Sequence, residues 1–438
     1  MSTHSSVSDA PSAPRASACP GLARIVSARD GGLCRIRLTG GELSSSAAHA
    51  VADAARHHAS GVIEVTNRAN LQLRGVRDDA PEALVQSLLD AGLGPATPGA
   101  DDLRNVMLSP LALDDTRALA AQIVDRMQRD ARLHALSPKF ALLLDGGERL
   151  AMLDHPHDIW LASIDDGARF AFGLAGCPPV DADDAPAIGA VERMHVVALV
   201  DALLHAFLDL AAPEHTRMRD LLSEVPIEHL LKASGVPPMR DVHAWRRPAA
   251  DASLRLGAHF QHRNGLMHAG AQPPLGRLSA SSLHALADLA ATHGTARLRM
   301  TPWQSVLLPD IAQSQAGNVL HAMRALGLAT EPAEPLARLI ACAGSQGCAR
   351  GLADTKADAL KLAQRLPANA EAVHLSGCVR SCAAAHRVPS ALVAVAPGRY
   401  DLYQHAALPK TEGFGRCVAR NITIEEAADW LARSTTDA

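Results

Sequence analysis

Two stretches of the chain carry the same alternation of apolar and polar positions. Ala48, Val51, Ala52 and Ala55 fall at i, i+3, i+4 and i+7, and so do Leu283, Leu286, Ala287 and Ala290. Each set predicts a helix with one apolar face. A serine cluster stands before each helix, where a hydroxyl can cap the first turn. A β-rich run follows each helix: VIEVT then LQLRGV in the first stretch, ARLRM then SVLL in the second. The stretches superimpose without a gap. Residues 43–73 lie over 278–308 at an offset of 235, with 11 of 31 positions identical, among them Asp53/Asp288, His58/His293 and Thr66/Thr301. A match that continues from helix into strand reads as duplication.

Helix plus hairpin is half of a ferredoxin-like α+β unit, so the two copies are expected to build one pseudo-symmetric sheet. A longer α/β stretch follows each copy. In the first, KFALLLDGGERLAMLD reads as strand, turn and strand, DIWLASID as a strand, and 190–210 as a long helix. In the second, 352–366 reads as a helix, EAVHLS and SALVAVA as strands, and TIEEAADWLARS as a helix capped by Thr423. HAGAQPPLGRL (268–278) reads as a linking loop. The expected plan is a tail at 1–18, a first half-repeat at 19–98, a first lobe at 99–245, a second half-repeat at 246–330 and a second lobe at 331–438.

Composition adds exclusions. The chain of 438 residues is 48% hydrophobic and 20% charged, which suits a folded protein. Its formal net charge of −4 argues against a nucleic-acid partner. No apolar run reaches the ~18 residues of a membrane span. The opening MSTHSSVSDAPSAPRAS lacks an apolar segment and reads as a disordered cytosolic tail, so a cytoplasmic location is expected. Arginine outnumbers lysine 37 to 5, a bias that by itself is not functional.

Of the eight cysteines, Cys19, Cys34, Cys177 and Cys417 stand alone. Cys342-x5-Cys348 and Cys378-x3-Cys382 fall within 41 residues, both pairs at expected strand–helix junctions. Four thiolates so placed can hold an iron–sulfur cluster, with Gly344, Gly347 and Gly377 allowing close backbone approach. Zinc, which favours shorter spacings, and inert buried thiols are the competing readings. The 235-residue offset places Val106-Met107 over Ala341-Cys342, and RNVMLSPLA has no cysteine. One cluster per chain is therefore expected, a [4Fe-4S] cluster if iron is the metal.

The arrangement resembles the sulfite/nitrite reductase hemoprotein superfamily. C-x5-C…C-x3-C is similar to that family's cluster signature, and the duplicated plan to its architecture. VTNRANLQLRG resembles its T-x-R-Q-x-x-Q stretch, DLRNVMLSP its R-N-V segment and SPKFALLLDGG its R-K-F-K segment. The resemblance implies a duplicated α+β architecture in which two ferredoxin-like half-repeats and two α/β lobes surround a central cleft. It also gives Arg68 and Arg104 the role of holding tetrapyrrole carboxylates. The sequence departs from the family at two points: Ala141 stands where the second lysine of R-K-F-K is usual, leaving Lys139, and Ala69 stands where a glutamine is usual. A site for reducing small oxyanions needs concentrated positive charge and proton delivery, and this one is depleted.

ACPGLARI, DGGLCRIRLTGGEL, TPWQSVLLPD, the P-P-L-G-R-L link and SGCVRSC resemble one subgroup, the precorrin-3B synthases, although Arg380 and Ser381 replace its more usual Lys-Gly. That resemblance implies an iron–sulfur monooxygenase of aerobic cobalamin biosynthesis. Precorrin-3A and O2 would be its substrates, a mononuclear non-haem iron its oxygen site, and a separate reductase or ferredoxin its electron donor. A polycarboxylate macrocycle calls for guanidinium groups. Arg68, Arg74 and Arg104 are the first candidates, with Lys139, Arg35 and Arg37 behind them. No spacing identifies ligands for a second iron. His374 and His386, beside the second cysteine pair, and His134 read as solvated or structurally bonded. No G-x-G-x-x-G follows a strand, so no nicotinamide site is expected. A siroheme-dependent sulfite or nitrite reductase, and a non-catalytic tetrapyrrole-binding or electron-transfer protein, are the alternatives.

Overall fold

A computed structural model describes residues 19–235, 240–261, 265–367, 369–405 and 413–434. The tail expected at 1–18 lies outside them.

The first half-repeat contains β1 (Val26–Ala28), β2 (Gly31–Ile36), β3 (Glu42–Ser44), α1 (Ser45–His58), β4 (Val62–Val65), β5 (Leu71–Val76) and α2 (Pro81–Asp90). The first lobe follows with β6 (Val106–Leu108), α3 (Asp114–Arg129), β7 (Leu142–Asp145), β8 (His157–Ile164), β9 (Arg169–Gly176), β10 (Gly189–Glu192) and α4 (Val196–Leu210), then α5 (Met218–Leu222) and α6 (Ile227–Ser234). The second half-repeat has β11 (Gly257–Phe260), β12 (Leu266–Ala271), β13 (Arg277–Ser279), α7 (Ala280–His293), β14 (Arg297–Met300), β15 (Val306–Ala312) and α8 (Gln313–Ala325). The second lobe has β16 (Leu339–Ala341), α9 (Gly344–Gly347), α10 (Thr355–Ala363), β17 (Val373–Ser376), β18 (Ser390–Ala396), β19 (Arg399–Gln404), β20 (Arg416–Ile422) and α11 (Ile424–Ser434).

The duplication is visible residue by residue. Helices α1 and α7 start and end at positions 235 apart. Ser44 and Ser279 cap them through their hydroxyls, accepting from Ala47 N at 3.1 Å and Ser282 N at 3.0 Å. The hairpin turns match too: Ala69 and Gln304 both take left-handed backbone, and their N–H groups donate to Thr66 O and Thr301 O at 3.0 Å. Thr423 caps α11 as expected, in a reciprocal pair with Glu426.

The expectation of one shared sheet is corrected. There are two five-stranded sheets, ordered β1-β2-β5-β4-β13 and β11-β12-β15-β14-β3. Each half-repeat lends its short strand to the other: Arg277–Ser279 pairs with Val62–Glu64, and Glu42–Ser44 with Arg297–Arg299. The exchange covers an edge strand of each sheet, which would otherwise present unpaired backbone groups. One apolar core, including Val51, Ile63, Leu73, Leu286, Leu298 and Leu308, runs through both halves.

Both lobes repeat one topology. The sheets run β6-β7-β8-β9-β10 and β16-β17-β18-β19-β20, with the first two pairings parallel and the next two antiparallel. This parallel start explains one difference from the expected hairpin over KFALLLDGGERLAMLD. Only Leu142–Asp145 forms a strand, because its neighbours are parallel and 146–156 must return along the lobe before β8 begins. The long helix expected over 190–210 starts at Val196, its opening residues being taken by β10. The loop expected at 268–278 is largely strand. Gly270 lets β12 pass β11's lead-in, where a Cβ would sit 2.0 Å from Arg255 O.

Candidate functional site

Strand alternation creates the site's floor. On β4 and β5, Ile63, Leu71 and Leu73 face the core beneath α1, while Glu64, Gln72 and Arg74 point the other way. That second face lines a cavity of about 700 Å³ together with Arg35, Asn67, Lys356, Arg380 and all four of Cys342, Cys348, Cys378 and Cys382. The structure thus brings the two cysteine pairs together with the first half-repeat.

Cys342 directly follows β16, and its N–H donates to Leu375 O on the parallel neighbour β17. Its sulfur accepts from Gly377 N at 3.1 Å, a donor that stabilises a thiolate. Cys348 follows the turn 344–347, and Cys378 follows β17. Glycines let the two loops nest: a Cβ on Gly351 would lie 2.5 Å from Gly344 C, and one on Gly377 would lie 3.2 Å from Gly351 Cα and 3.4 Å from Cys342 Sγ. Burial and then the other three thiols push the Cys382 thiol up, so four like-charging groups share the space. Donor chemistry and close backbone approach fit an iron–sulfur cluster.

The loops are held from the first half-repeat. Arg74 makes a bidentate pair with Asp30 at 2.7 and 2.8 Å, and its Nη2 also donates to Gly347 O at 2.7 Å. Arg29 donates to Ser345 O and Ala349 O, Asn67 to Cys382 O, and Gln304 to Ala383 O. Beneath Cys342, Lys356 is buried and donates to Ala341 O and Leu275 O.

The expected carboxylate-binding cations divide into two groups. Arg74 is committed to Asp30 and the cluster loop. Arg104 is held by Asp101 at 2.7 Å, and Arg37 by Asp101 and Asp102. Each of these three already pairs with a carboxylate of the chain, whereas the remaining candidates do not among the described residues. Arg68 and Arg35 have no carboxylate within ion-pair distance among the described residues. Arg35 lines the cluster cavity, with the Gln72 amide oxygen accepting from its Nε at 3.1 Å and Nη2 at 2.6 Å. Arg68 sits on the turn after β4, donating to Lys139 O at 3.3 Å, and the Lys139 side chain is exposed beside it. Burial, then repulsion from Arg217 and Arg35, lowers Arg68 to about 10, so it stays charged at neutral pH.

Arg68 opens onto a second, smaller cavity of about 130 Å³ whose residues were not legible in sequence: His155, His157, Asp158 and Arg217. Asp158 is 1% exposed and accepts from Arg217 Nε at 2.8 Å, Met218 N at 2.7 Å and Ala141 N at 2.8 Å. Ala141, at the position of the missing lysine, is thus bound to the start of β8 by its backbone alone. His155 and His157 are 2% and 1% exposed, with ring centroids 5.0 Å apart. His155 Nδ1 and both ring nitrogens of His157 have no hydrogen-bond partner. His374 and His386 each keep one buried ring nitrogen without a partner, Nε2 in His374 and Nδ1 in His386. His134 is bonded to Gln128 O, as expected. Only the repeat of histidine around Pro156 hinted at this cluster.

These buried imidazoles make stability pH-dependent. Burial, joined for His157 by Arg68 and Arg217, lowers His157 and His374 to about 3, and burial lowers His268 to about 4. Above pH ~6.5 the rings are neutral folded and unfolded, and their contribution is fully present. As pH falls below that value, the unfolded chain takes up protons that the folded chain refuses. Stability is then lost by up to about 1.4 kcal/mol per pH unit for each ring. Denaturant titrations between pH 7 and 4 should show this loss, and His268→Gln should make it shallower. An unchanged slope would contradict the assignment.

Family models match on both half-repeats and on the first lobe. The "Nitrite/Sulfite reductase ferredoxin-like half domain" covers residues 27–91 and 259–326, and the "Nitrite and sulphite reductase 4Fe-4S domain" covers 99–237. The four-cysteine lobe lies beyond these matches. The ferredoxin–nitrite reductase of Synechococcus elongatus is 31% identical over 378 residues, covering 80% of this chain and 73% of that protein. A precorrin-3B synthase of a Sinorhizobium species is 28% identical over 421 residues, covering 93% and 88%. The solved structure of Mycobacterium tuberculosis NirA shares the fold, with a TM-score of 0.75 at 22% identity over 93% of this chain and 80% of that one. With its exchanged half-repeats, its two like lobes and this degree of likeness over most of its length, the chain belongs to the nitrite and sulfite reductase family of oxidoreductases.

Proposed function

We propose that this oxidoreductase is a precorrin-3B synthase. It would insert one atom of O2 at a meso carbon of precorrin-3A, with an acetate side chain closing a γ-lactone. The second oxygen atom leaves as water with two electrons and two protons from an external donor. The observation that carries this reading is the pocket at Arg68. The lysine usual in oxyanion-reducing relatives is absent at Ala141, and neutral imidazoles with unpartnered nitrogens stand beside it instead. The likeness to the Sinorhizobium synthase also runs nearly end to end in both chains.

Within this reading, Cys342, Cys348, Cys378 and Cys382 hold a [4Fe-4S] cluster, which passes single electrons when bound. A mononuclear iron, which supplies the oxygen chemistry, would find ligand atoms on His155 and His157, since a neutral imidazole is a common metal ligand. Arg68 and Arg35 bind carboxylates of the macrocycle bidentately, with Lys139 at the rim. Arg74 and Asn67 fix the cluster loops against the substrate floor.

The test is incubation of the cluster-loaded protein with precorrin-3A, a reductant and ¹⁸O2. One ¹⁸O per product molecule is expected; unlabelled substrate after competent reduction would overturn the reading. A siroheme reductase is the second reading, favoured by the Synechococcus likeness. It requires about one haem chromophore per chain, visible in the spectrum of the anaerobically purified protein. Tight macrocycle binding with no conversion would instead mark a carrier.

A further inference from the structure

We propose that His49, His284 and Asp288, with Asp53 beside them, form a divalent-cation site of zinc type on the local two-fold axis of the duplicated halves. His49 and Asp53 are four residues apart on α1, and His284 and Asp288 are four apart on α7, so each pair shares one helix face. The two pairs are related by the 235-residue offset. Where α1 packs on α7, they meet reciprocally: His49 Nε2 lies 2.9 Å from Asp288 Oδ1, and His284 Nε2 lies 3.2 Å from Asp53 Oδ1. The imidazole rings stack with centroids 4.5 Å apart.

One ligand atom each of His49, His284 and Asp288 lies within 4.8 Å of the other two. Zinc bound to nitrogen and oxygen at about 2.0–2.2 Å holds its donors roughly 3.3 Å apart. The His49–Asp288 separation is already shorter than that value, and the adjustment left for His284 is within reach of side chains one-third or more exposed. Two imidazoles and a carboxylate make a borderline donor set that suits zinc, nickel or copper better than magnesium or calcium. Arg56 donates to the same Asp53 oxygen at 2.8 Å, which leaves Asp288 as the less encumbered carboxylate and Asp53 as the group that orients His284.

Hydrogen bonding, repeated by the duplication, explains the two His–Asp pairs; stacking of the two rings is what brings both imidazoles within reach of one ion. A cation there would tie α1 to α7, and hence one half-repeat to the other, on the sheet face opposite the cluster cavity. The site is therefore separate from the chemistry at Arg68, and activity is not its readout.

The experiment is zinc titration by calorimetry of the purified, cluster-loaded protein, with melting temperature followed in parallel. The unmodified chain should take up one equivalent of zinc that His49→Gln/His284→Gln binds roughly a hundredfold more weakly or not at all, since even outer-shell losses cost about 10–100-fold. Zinc should raise the melting temperature of the unmodified chain and not of the variant. His57→Gln/His58→Gln, on the same helix, serves as the control and should retain the equivalent. If the double variant folds poorly, Asp288→Asn, at a side chain 69% exposed, takes its place. Equal zinc uptake and equal thermal response in the unmodified chain and in these variants would overturn the proposal, as would the absence of any saturable equivalent.

Discussion

Replacing Cys348 by serine is expected to lower bound iron and sulfide to near zero, while replacing Cys177 by serine leaves both unchanged. A serine hydroxyl is a poor substitute for a thiolate toward iron in a cluster. The loop itself should survive the exchange, because its carbonyls are held from outside by Arg74 at Gly347 and by Arg29 at Ser345 and Ala349. Loss of iron would then report the missing ligand and not a collapsed loop. No cysteine in the matching loop of the first lobe can take over, since Val106 and Met107 stand there. Stability should fall as well: the nested turns at Gly344, Gly351 and Gly377 have few side chains to pack, and cluster binding is coupled to the folding of the lobe. Iron and sulfide assays on both variants, with a thermal melt of each, are the measurement. Equal iron in the two would refute the ligand assignment.

Replacing Asp158 by alanine is expected to cost about 3–5 kcal/mol, the usual penalty for stranding one partner of a buried ion pair. Asp158 does three things at once. It neutralises Arg217, accepts from Met218 N at the start of α5, and accepts from Ala141 N at the start of β7. Without it, the Arg217 guanidinium faces Arg68 across a small cavity without its ion-pair partner, and burial followed by repulsion from Arg217 already lowers Arg68. Removing both charges together, as Asp158→Ala/Arg217→Leu, should restore part of the loss. Urea unfolding of the two variants and the unmodified chain measures this. A loss below about 1 kcal/mol for Asp158→Ala would place the pair among weak surface bridges and would contradict its burial.

The sequence by itself determined the duplication and the cluster motif. Both rest on local or strictly periodic signals. The i, i+3, i+4, i+7 faces of α1 and α7, the capping serines and the hairpins after them all sit at a fixed offset of 235. The cysteine spacing is equally local, since each pair occupies one turn beside one strand. The family's fold followed from motifs scattered over most of the chain.

Tertiary structure decided which cations are free. The resemblance put Arg68 and Arg104 ahead of Arg74, but no sequence signal shows which arginine meets a carboxylate of the chain. Folding brings Asp30 to Arg74, Asp101 to Arg104 and Asp101 and Asp102 to Arg37, which leaves Arg68, Arg35 and Lys139 without an ion pair among the described residues. The exchange of β3 and β13 was hidden for a related reason: a three-residue strand carries too little pattern to show which sheet it joins. The histidine cluster beside Arg68 was hidden because burial is not a property of the residue. His155 and His157 sit next to polar and charged neighbours in the chain, and only the folded structure buries them and leaves His155 Nδ1 and both His157 nitrogens without partners. Local periodicity fixes elements and repeats. Charge compensation and desolvation depend on residues far apart in the chain, and these choose the site.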